Sequence, residues 1–229
     1  MKVIDVKQGT HEWHEARRGT PTASCFRKIV TAKQWGYAAG AKTYVQELIA
    51  EAYSPSYGMH DEHASRAMLA GIEREPEARR FYTFVNSCEV QEVGFCKTDD
   101  DRFGCSPDGL IGDDGAIEIK SPTHKTQVKW LLEGGVPPEH LAQCHGVLLV
   151  TGRPWIDFLS YCPPLPNLLV RVEPDEKTEK LRGYLDQFWD ELQSSLARVK
   201  SLHEPEPKKV LDFGSLGTLE VGVHQESYF

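Results

Sequence analysis

The sequence predicts an α+β protein of the broad α/β type, in which a central mixed sheet, largely an antiparallel meander, is flanked by helices. Three observations predict it. Between residues 89 and 120, short runs of alternating apolar residues are separated by clusters of Gly, Asp, Pro and Ser, which is the pattern of strands and tight turns. Outside that stretch, over residues 43–53, 64–85, 123–133 and 175–202, apolar residues recur every three or four positions, as they do on one face of a helix. Two later runs, 155–162 and 168–173, alternate again and add the last strands.

Composition bounds the reading. The 229 residues, 40% hydrophobic and 26% charged, are enough for one domain with a substantial core. The expected organisation is a single domain over residues 1–203 and an appendage over 204–229, whose alternating prolines separate it from the preceding helix and which would dock on its own or a neighbouring subunit. No apolar run reaches the ~18 to 20 residues of a membrane span, and the first residues lack a signal-peptide core. A cytoplasmic protein with no membrane partner is therefore expected. Six cysteines without Cys-x-x-Cys spacing argue against zinc ribbons and iron–sulfur clusters and for buried thiols. The net charge of −8 argues against a general nucleic-acid binder, yet its distribution is uneven. Residues 1–50 carry a net +4 and residues 87–119 a net −7.

Taken in order, residues 2–7 suit a short strand and 11–18 one or two helical turns. Thr22 is a candidate N-cap for a helix running to about Ala32, with Ser24 in its first turn. Free amides, hydroxyls and the nearby Arg17 can serve a phosphate there, or simple capping beside a surface arginine. Residues 33–42 read as a loop in which Trp35 stacks on a nucleic-acid base, wedges the strands apart or packs on the domain. In residues 64–85, Pro76 places Glu75 at a kink, Phe81, Phe84 and Val85 form the expected core face, and Arg79 and Arg80 are expected to be solvated or to face phosphate. Residues 89–97 and 102–106 read as strands. After Lys120, Ser121-Pro122 ends the strand; the next helix presents Lys125 and Lys129 at i, i+4, for phosphate or for solvent. Gly134-Gly135 and Pro137-Pro138 separate that helix from one ending near Val150. The last helix carries the stripe Leu181, Leu185, Phe188, Leu192, Leu196 and Val199.

The chemistry concentrates in residues 105–120. Two short strands are joined by Gly112-Asp113-Asp114-Gly115, and alternation on the second puts Ile117 and Ile119 on one face and Glu118 and Lys120 on the other. The turn brings Asp108 back toward Glu118. Two converging carboxylates, with the Ile119 carbonyl between Glu118 and Lys120, suit a hard divalent ion such as Mg²⁺. Lys120 would then orient water or stabilise developing negative charge in phosphodiester hydrolysis. The alternative is a surface hairpin with a solvated ion pair.

Five blocks together resemble the phage lambda exonuclease family, the YqaJ-type viral recombinase or alkaline exonucleases of the PD-(D/E)xK superfamily. They are residues 13–19 with Thr22-Ala23-Ser24, then 71–79, 105–109, Glu118-Ile119-Lys120, and Ala142-Gln143 with Thr151-Gly152. The resemblance implies a restriction-endonuclease-like core. It implies a Mg²⁺-dependent 5′-to-3′ exonuclease that degrades one strand of linear double-stranded DNA to mononucleotides, leaving a 3′ single strand for a phage-type annealing protein. By matching position, Asp108, Glu118 and the Ile119 carbonyl would bind Mg²⁺, or Mn²⁺ in its place, with Glu75 joining through water or a second ion, two ions in all. Lys120 would be catalytic and Gln143 would order the site. Arg17, Ser24 and Ser106, with Thr22 as a weaker member, match the positions that receive the 5′ phosphate. Trp35, Lys125 and Lys129 remain DNA-contact candidates. A ring-shaped homotrimer in a bacterial or phage-infected cytoplasm is also implied.

Two rivals share part of this reading. An endonuclease of the same superfamily, restriction or junction-cleaving, would keep the metal site but have no use for a phosphate pocket. A non-catalytic DNA-binding or interaction module would have no chemical need for Glu75, Asp108, Glu118 and Lys120 together.

Overall fold

The computed structural model describes residues 1–54 and 66–203. The expected turn region at 54–60, the start of the helix at 64 and the appendage at 204–229 lie wholly or partly outside them. The chain forms two compact units, Met1–Leu192 and Gln193–Phe229; the site described below belongs to the first. Among the described residues no helix is long and apolar enough to cross a membrane.

Among the described residues, eight strands make two sheets. β1 (Lys2–Ile4), β3 (Phe95–Lys97) and β4 (Gly104–Cys105) form an antiparallel sheet in the order β1-β3-β4. β2 (Val90–Gln91), β5 (Gly109–Ile111), β6 (Gly115–Lys120), β7 (Trp155–Ser160) and β8 (Leu168–Val172) form the second, in that order. All its pairs are antiparallel except β6 and β7, which run parallel with Glu118 opposite Phe158 and Lys120 opposite Ser160. A parallel pair requires a long crossover, and the chain supplies it with α4 (His124–Glu133) and α5 (Pro138–Thr151). Mixed pairing with flanking helices agrees with the expected fold class.

The single strand expected over residues 89–97 is instead two strands in different sheets. Gly94 divides them, and the reason is close approach: a Cβ there would lie 1.9 Å from the Val6 carbonyl oxygen. The chain turns where only glycine fits.

α1 (His11–Arg17) is capped by Thr10, whose hydroxyl accepts from the Trp13 amide, and α2 is Ala41–Tyr53. The helix expected from Thr22 to Ala32 is a short 3₁₀ helix, Ala23–Lys28, and the Thr22 side chain makes no capping bond. That segment is held by packing. Phe26 is fully buried and sits over Gly146 of α5, where a Cβ would meet its ring at 2.5 Å. α3 (Arg66–Asn86) runs through Pro76. Its inner face is Ala78 and Tyr82, with Phe81 half-buried, whereas Phe84 is 85% exposed and Val85 55%. Of the expected core face, Phe81 packs on the core, whereas Phe84 and Val85 are corrected to the solvent side. Tyr82 fixes the rotation by donating to buried Asp157 of β7 at 2.6 Å. The last helix, α6 (Glu176–His203), buries Leu181, Leu185, Phe188 and Leu192. All six cysteines are free thiols, four of them buried.

Candidate active site

β5 and β6 form the hairpin that the alternation and turn residues predict, with Gly109 opposite Ile117. Asp108 enters it in register. Its amide donates to the Ile117 carbonyl at 3.1 Å, and its carboxylate accepts from the Ile119 amide at 2.5 Å. The backbone thus aims this acid across the hairpin at the strand carrying Glu118. Ile117 and Ile119 pack toward α3 with Ala78 and Tyr82. Glu118, on the opposite face of β6, receives two donors on the same oxygen: Lys120 Nζ, and Gln143 Nε2 of α5 at 2.6 Å. Arg153, just after α5, donates through Nη1 to the carbonyls of Ile111, Gly112 and Gly115 at 3.2, 2.8 and 2.7 Å. One guanidinium therefore fastens the hairpin turn to the loop that leads into β7.

The site is electrostatically tense. Glu118 is 1% exposed, and its second carboxylate oxygen, Oε2, is buried without a hydrogen-bond partner. Burial pushes the Glu118 carboxyl up to about 7, helped by Asp108 and Glu75 and opposed by Lys120. Burial and the Asp108 charge likewise push Glu75 up to about 7, against Arg79 and Lys120. Asp108 is raised by burial as well. Burial works to lower Lys120, but Glu118 and Asp108 overcome it and hold the lysine above its usual range. Three carboxylates thus share one space with too little positive charge to satisfy them all. Among the described residues, no three His, Cys, Asp or Glu side chains are already gathered into a ligand set. The donor chemistry nonetheless fits a hard divalent cation: a buried carboxylate oxygen without a partner, the charges of Asp108 and Glu75 acting on the same carboxyl, and the neighbouring Cys105 and Cys144 held as neutral thiols by burial.

Sequence reasoning missed Arg79. Expected in solvent or on phosphate, it is half-buried behind the acids, pairing with Glu75 at 2.5 Å and Glu92 at 2.6 Å and donating from Nε to the Asp108 carbonyl at 3.1 Å. It ties α3 to the hairpin at the residue that matters. The signal was present in the i, i+4 spacing of Glu75 and Arg79. The kink expected at Glu75 is not what positions this acid; the arginine one turn on holds it.

A second cluster gathers the residues matched to phosphate binding. Trp13 and Arg17 sit one turn apart on α1, and the Arg17 guanidinium lies 3.8 Å over the Trp13 ring. Arg17 Nη2 donates to Thr22 Oγ1 at 3.5 Å, and Thr22 Oγ1 is 3.3 Å from Ser24 Oγ. The Trp13 indole N–H donates to Ser106 Oγ at 2.9 Å. The Gly104 amide donates to the Pro21 carbonyl at 3.0 Å, which brings the Thr22–Ser24 segment beside the strand that leads into Ser106 and Asp108. Arg17, Thr22 and Ser24 therefore meet Ser106 through Trp13, and Ser106 lies two residues along the chain from Asp108.

The DNA-contact candidates fare differently. Trp35 is 7% exposed, with its ring at right angles to His145 and 5.3 Å from it. The expected loop is a tight one, closed by Trp35 and Gly36 amides on the Thr31 carbonyl and hydroxyl at 3.0 and 3.1 Å. Positive φ at Trp35, 50°, turns the indole into the core. Its expected role in contacting DNA or separating strands is corrected, since a buried ring offers no face to a base. Lys125 and Lys129 lie exposed on α4, Lys129 paired with Glu133 at 3.8 Å.

Residues 12–154 match the YqaJ-like viral recombinase domain. Among solved structures, the fold is similar to an alkaline exonuclease (LHK-Exo) from Laribacter hongkongensis, with TM-score 0.74 and 34% identity over 85% of this chain and 98% of that one. The structure of LHK-Exo in complex with dAMP matches with the same TM-score at 33% identity, again over 85% and 98%. A phage-related exonuclease from Haemophilus somnus 129PT shares the fold, with TM-score 0.54 and 13% identity over 77% and 96%. No curated protein matches the chain. Hairpin, acids and helices together have the arrangement expected of a PD-(D/E)xK-like core, and the chain belongs to the YqaJ-like viral recombinase family.

Proposed function

We propose that this protein is a divalent-metal-dependent 5′-to-3′ exonuclease that degrades one strand of linear double-stranded DNA to mononucleotides from a 5′-phosphorylated end. The observation that carries the reading is the buried Glu118, one oxygen of which has no hydrogen-bond partner while Lys120 and Gln143 hold the other and the Asp108 charge acts on the same carboxyl. The 34% identity to an alkaline exonuclease supports it, and dAMP, a deoxynucleoside monophosphate bound by that relative, is the kind of product this chemistry releases.

Asp108, Glu118 and the Ile119 carbonyl would hold Mg²⁺, with Mn²⁺ able to replace it and Glu75 serving a second ion. When bound, the cation polarises a phosphoryl oxygen and makes water a better nucleophile. The protein's own part is positioning and charge. Gln143 fixes one Glu118 oxygen so that the other faces the site. Lys120, held as an ammonium by its two acidic neighbours, is a donor and not a base, so it stabilises negative charge developing on the scissile phosphate. Arg79 keeps Glu75 and the Asp108 backbone in place. Arg17, Thr22, Ser24 and Ser106 offer a cation and three hydroxyls for a terminal phosphate. Residues 1–203 would form the nuclease domain and 204–229 an appendage, in a ring-shaped homotrimer that hands 3′ single strands to an annealing protein in the cytoplasm.

The test is digestion of a linear duplex labelled at one 5′ end, beside a closed circle, with Mg²⁺ or chelator. Release of labelled mononucleotide from the linear duplex alone, dependent on metal and lost in Lys120→Ala, is the expected result. Cleavage of the circle would instead make the protein an endonuclease. No cleavage of either substrate would leave the fold to a binding module.

A further inference from the structure

The pocket assigned above to the terminal phosphate contains a residue whose role no motif describes. Trp13 touches both halves of it. Its ring face carries the Arg17 guanidinium at 3.8 Å, and its indole N–H donates to Ser106 Oγ at 2.9 Å and to the Gly94 carbonyl at 3.2 Å. The two partners come from opposite sides of the site: Arg17 from α1, and Ser106 from the segment joining β4 to Asp108.

Each contact has a chemical consequence. Indole is a donor only, so Ser106 Oγ must accept from it, and the hydroxyl's own proton is then directed elsewhere as a donor. An anion is the complement of that proton. The stacked guanidinium loses rotamer freedom and presents its N–H edge beyond the ring, already turned to the Thr22 hydroxyl, which in turn meets that of Ser24. The Gly94 carbonyl shares the indole proton and so locks the ring plane. Phe95, next in the chain, places a second ring 6.0 Å from the Arg17 carbon.

Building on the assignment of this pocket to the terminal phosphate, we infer that Trp13 is the positioning residue that sets discrimination between 5′-phosphate and 5′-hydroxyl ends, by ordering Ser106 as a donor and Arg17 as a clamp. It touches neither the metal ligands nor Lys120 in any contact described above, so its effect falls on end recognition. Preorganised donors gain affinity because the cost of ordering them is met before the ligand arrives.

The experiment compares kcat/KM on linear duplexes carrying a 5′ phosphate or a 5′ hydroxyl for wild type, Trp13→Phe, Ser106→Ala and the double variant, with melting temperatures alongside. Trp13→Phe keeps a ring for Arg17 and removes the N–H. The preference for phosphate is expected to fall about tenfold, the scale of one charge-assisted hydrogen bond, chiefly through KM. In the Ser106→Ala background the same change is expected to have little further effect, because both act through one hydroxyl. A preference kept by Trp13→Phe, or equal losses on both substrates, overturns the inference. So do additive effects in the double variant. A wild type indifferent to the 5′ phosphate would overturn the pocket assignment and the inference together, and the wild-type arm alone distinguishes that case.

Discussion

On the proposed function, the carboxylate hairpin and the Trp13 cluster solve the same problem, holding charge ready for a phosphate, in opposite ways. In the hairpin the acids are locked by the backbone itself: Asp108 bonds to the Ile117 carbonyl and the Ile119 amide, and strand alternation does the rest. Its strain is electrostatic, three carboxylates against a lysine and an arginine. In the Trp13 cluster the backbone contributes an isolated bridge, Thr22 beside Gly104, and side chains do the rest. A side chain from α1 bridges to Ser106, and its ring supports Arg17. One region therefore depends on its acids and on the bases that hold them; the other depends on an aromatic residue that bears no charge.

Four changes break or sharpen this contrast. The largest effect belongs to Lys120→Ala, expected to cut turnover by about 10²–10³-fold or more, the scale of losing a preorganised donor in a dry site. The metal-free melting temperature is expected to fall as well, because removing the ammonium leaves the buried Glu118 further uncompensated; single-turnover kinetics on folded enzyme and a thermal melt check both halves. Trp35→Ala serves as a control outside both regions. As a core substitution it is expected to destabilise the protein by about 3–5 kcal/mol in a denaturant melt, while any enzyme remaining folded keeps its end preference.

Arg79→Ala tests the hairpin's support. Losing its bonds to Glu75 and the Asp108 carbonyl is expected to lower activity about 10–100-fold, with partial recovery at higher metal concentration, read from kcat across a Mg²⁺ titration. An unchanged titration would mean that Glu75 needs no anchoring. The smallest effect is on pH and stability. Glu75 and Glu118 have folded-state values near 7, above the ordinary 4.5, so the folded protein binds more protons than the unfolded chain between those values. Their contribution is fully present below about 4.5 and lost as pH rises through about 7. Metal-free protein is therefore expected to lose a few degrees of melting temperature from this pair between pH 5 and pH 8, a slope flattened in Glu118→Gln.

Much of the hairpin site was legible because its information is local. Turn residues, alternation and the acids all lie in one stretch, and strand period alone dictates which side chains share a face. The helices of residues 41–53, 124–133 and 138–151 were likewise written in apolar spacing and in the glycines and prolines around them. What was not legible depended on long-range fit. Gly94 splits a run of strand-like residues only because Val6 passes against it. Phe84 and Val85 are apolar by type, yet the rotation of α3 is set by Ala78 against the sheet and Tyr82 on Asp157. Trp35 turned inward because Thr31 closes a tight loop beneath it. Trp13 lies in the first of the family-like blocks, but its role needs Ser106, far away in sequence.

The central claim is that Glu118, Asp108 and their neighbours are held against their own repulsion for a divalent cation. Calorimetric titration of Mg²⁺ and Mn²⁺ into wild type and Glu118→Gln at pH 8, each with a melting curve, tests it most directly. The account predicts that cation binds and stabilises the wild type, and that both effects disappear in a variant that is folded and at least as stable without metal. Equal binding by the two proteins would contradict it and move the metal site away from Glu118.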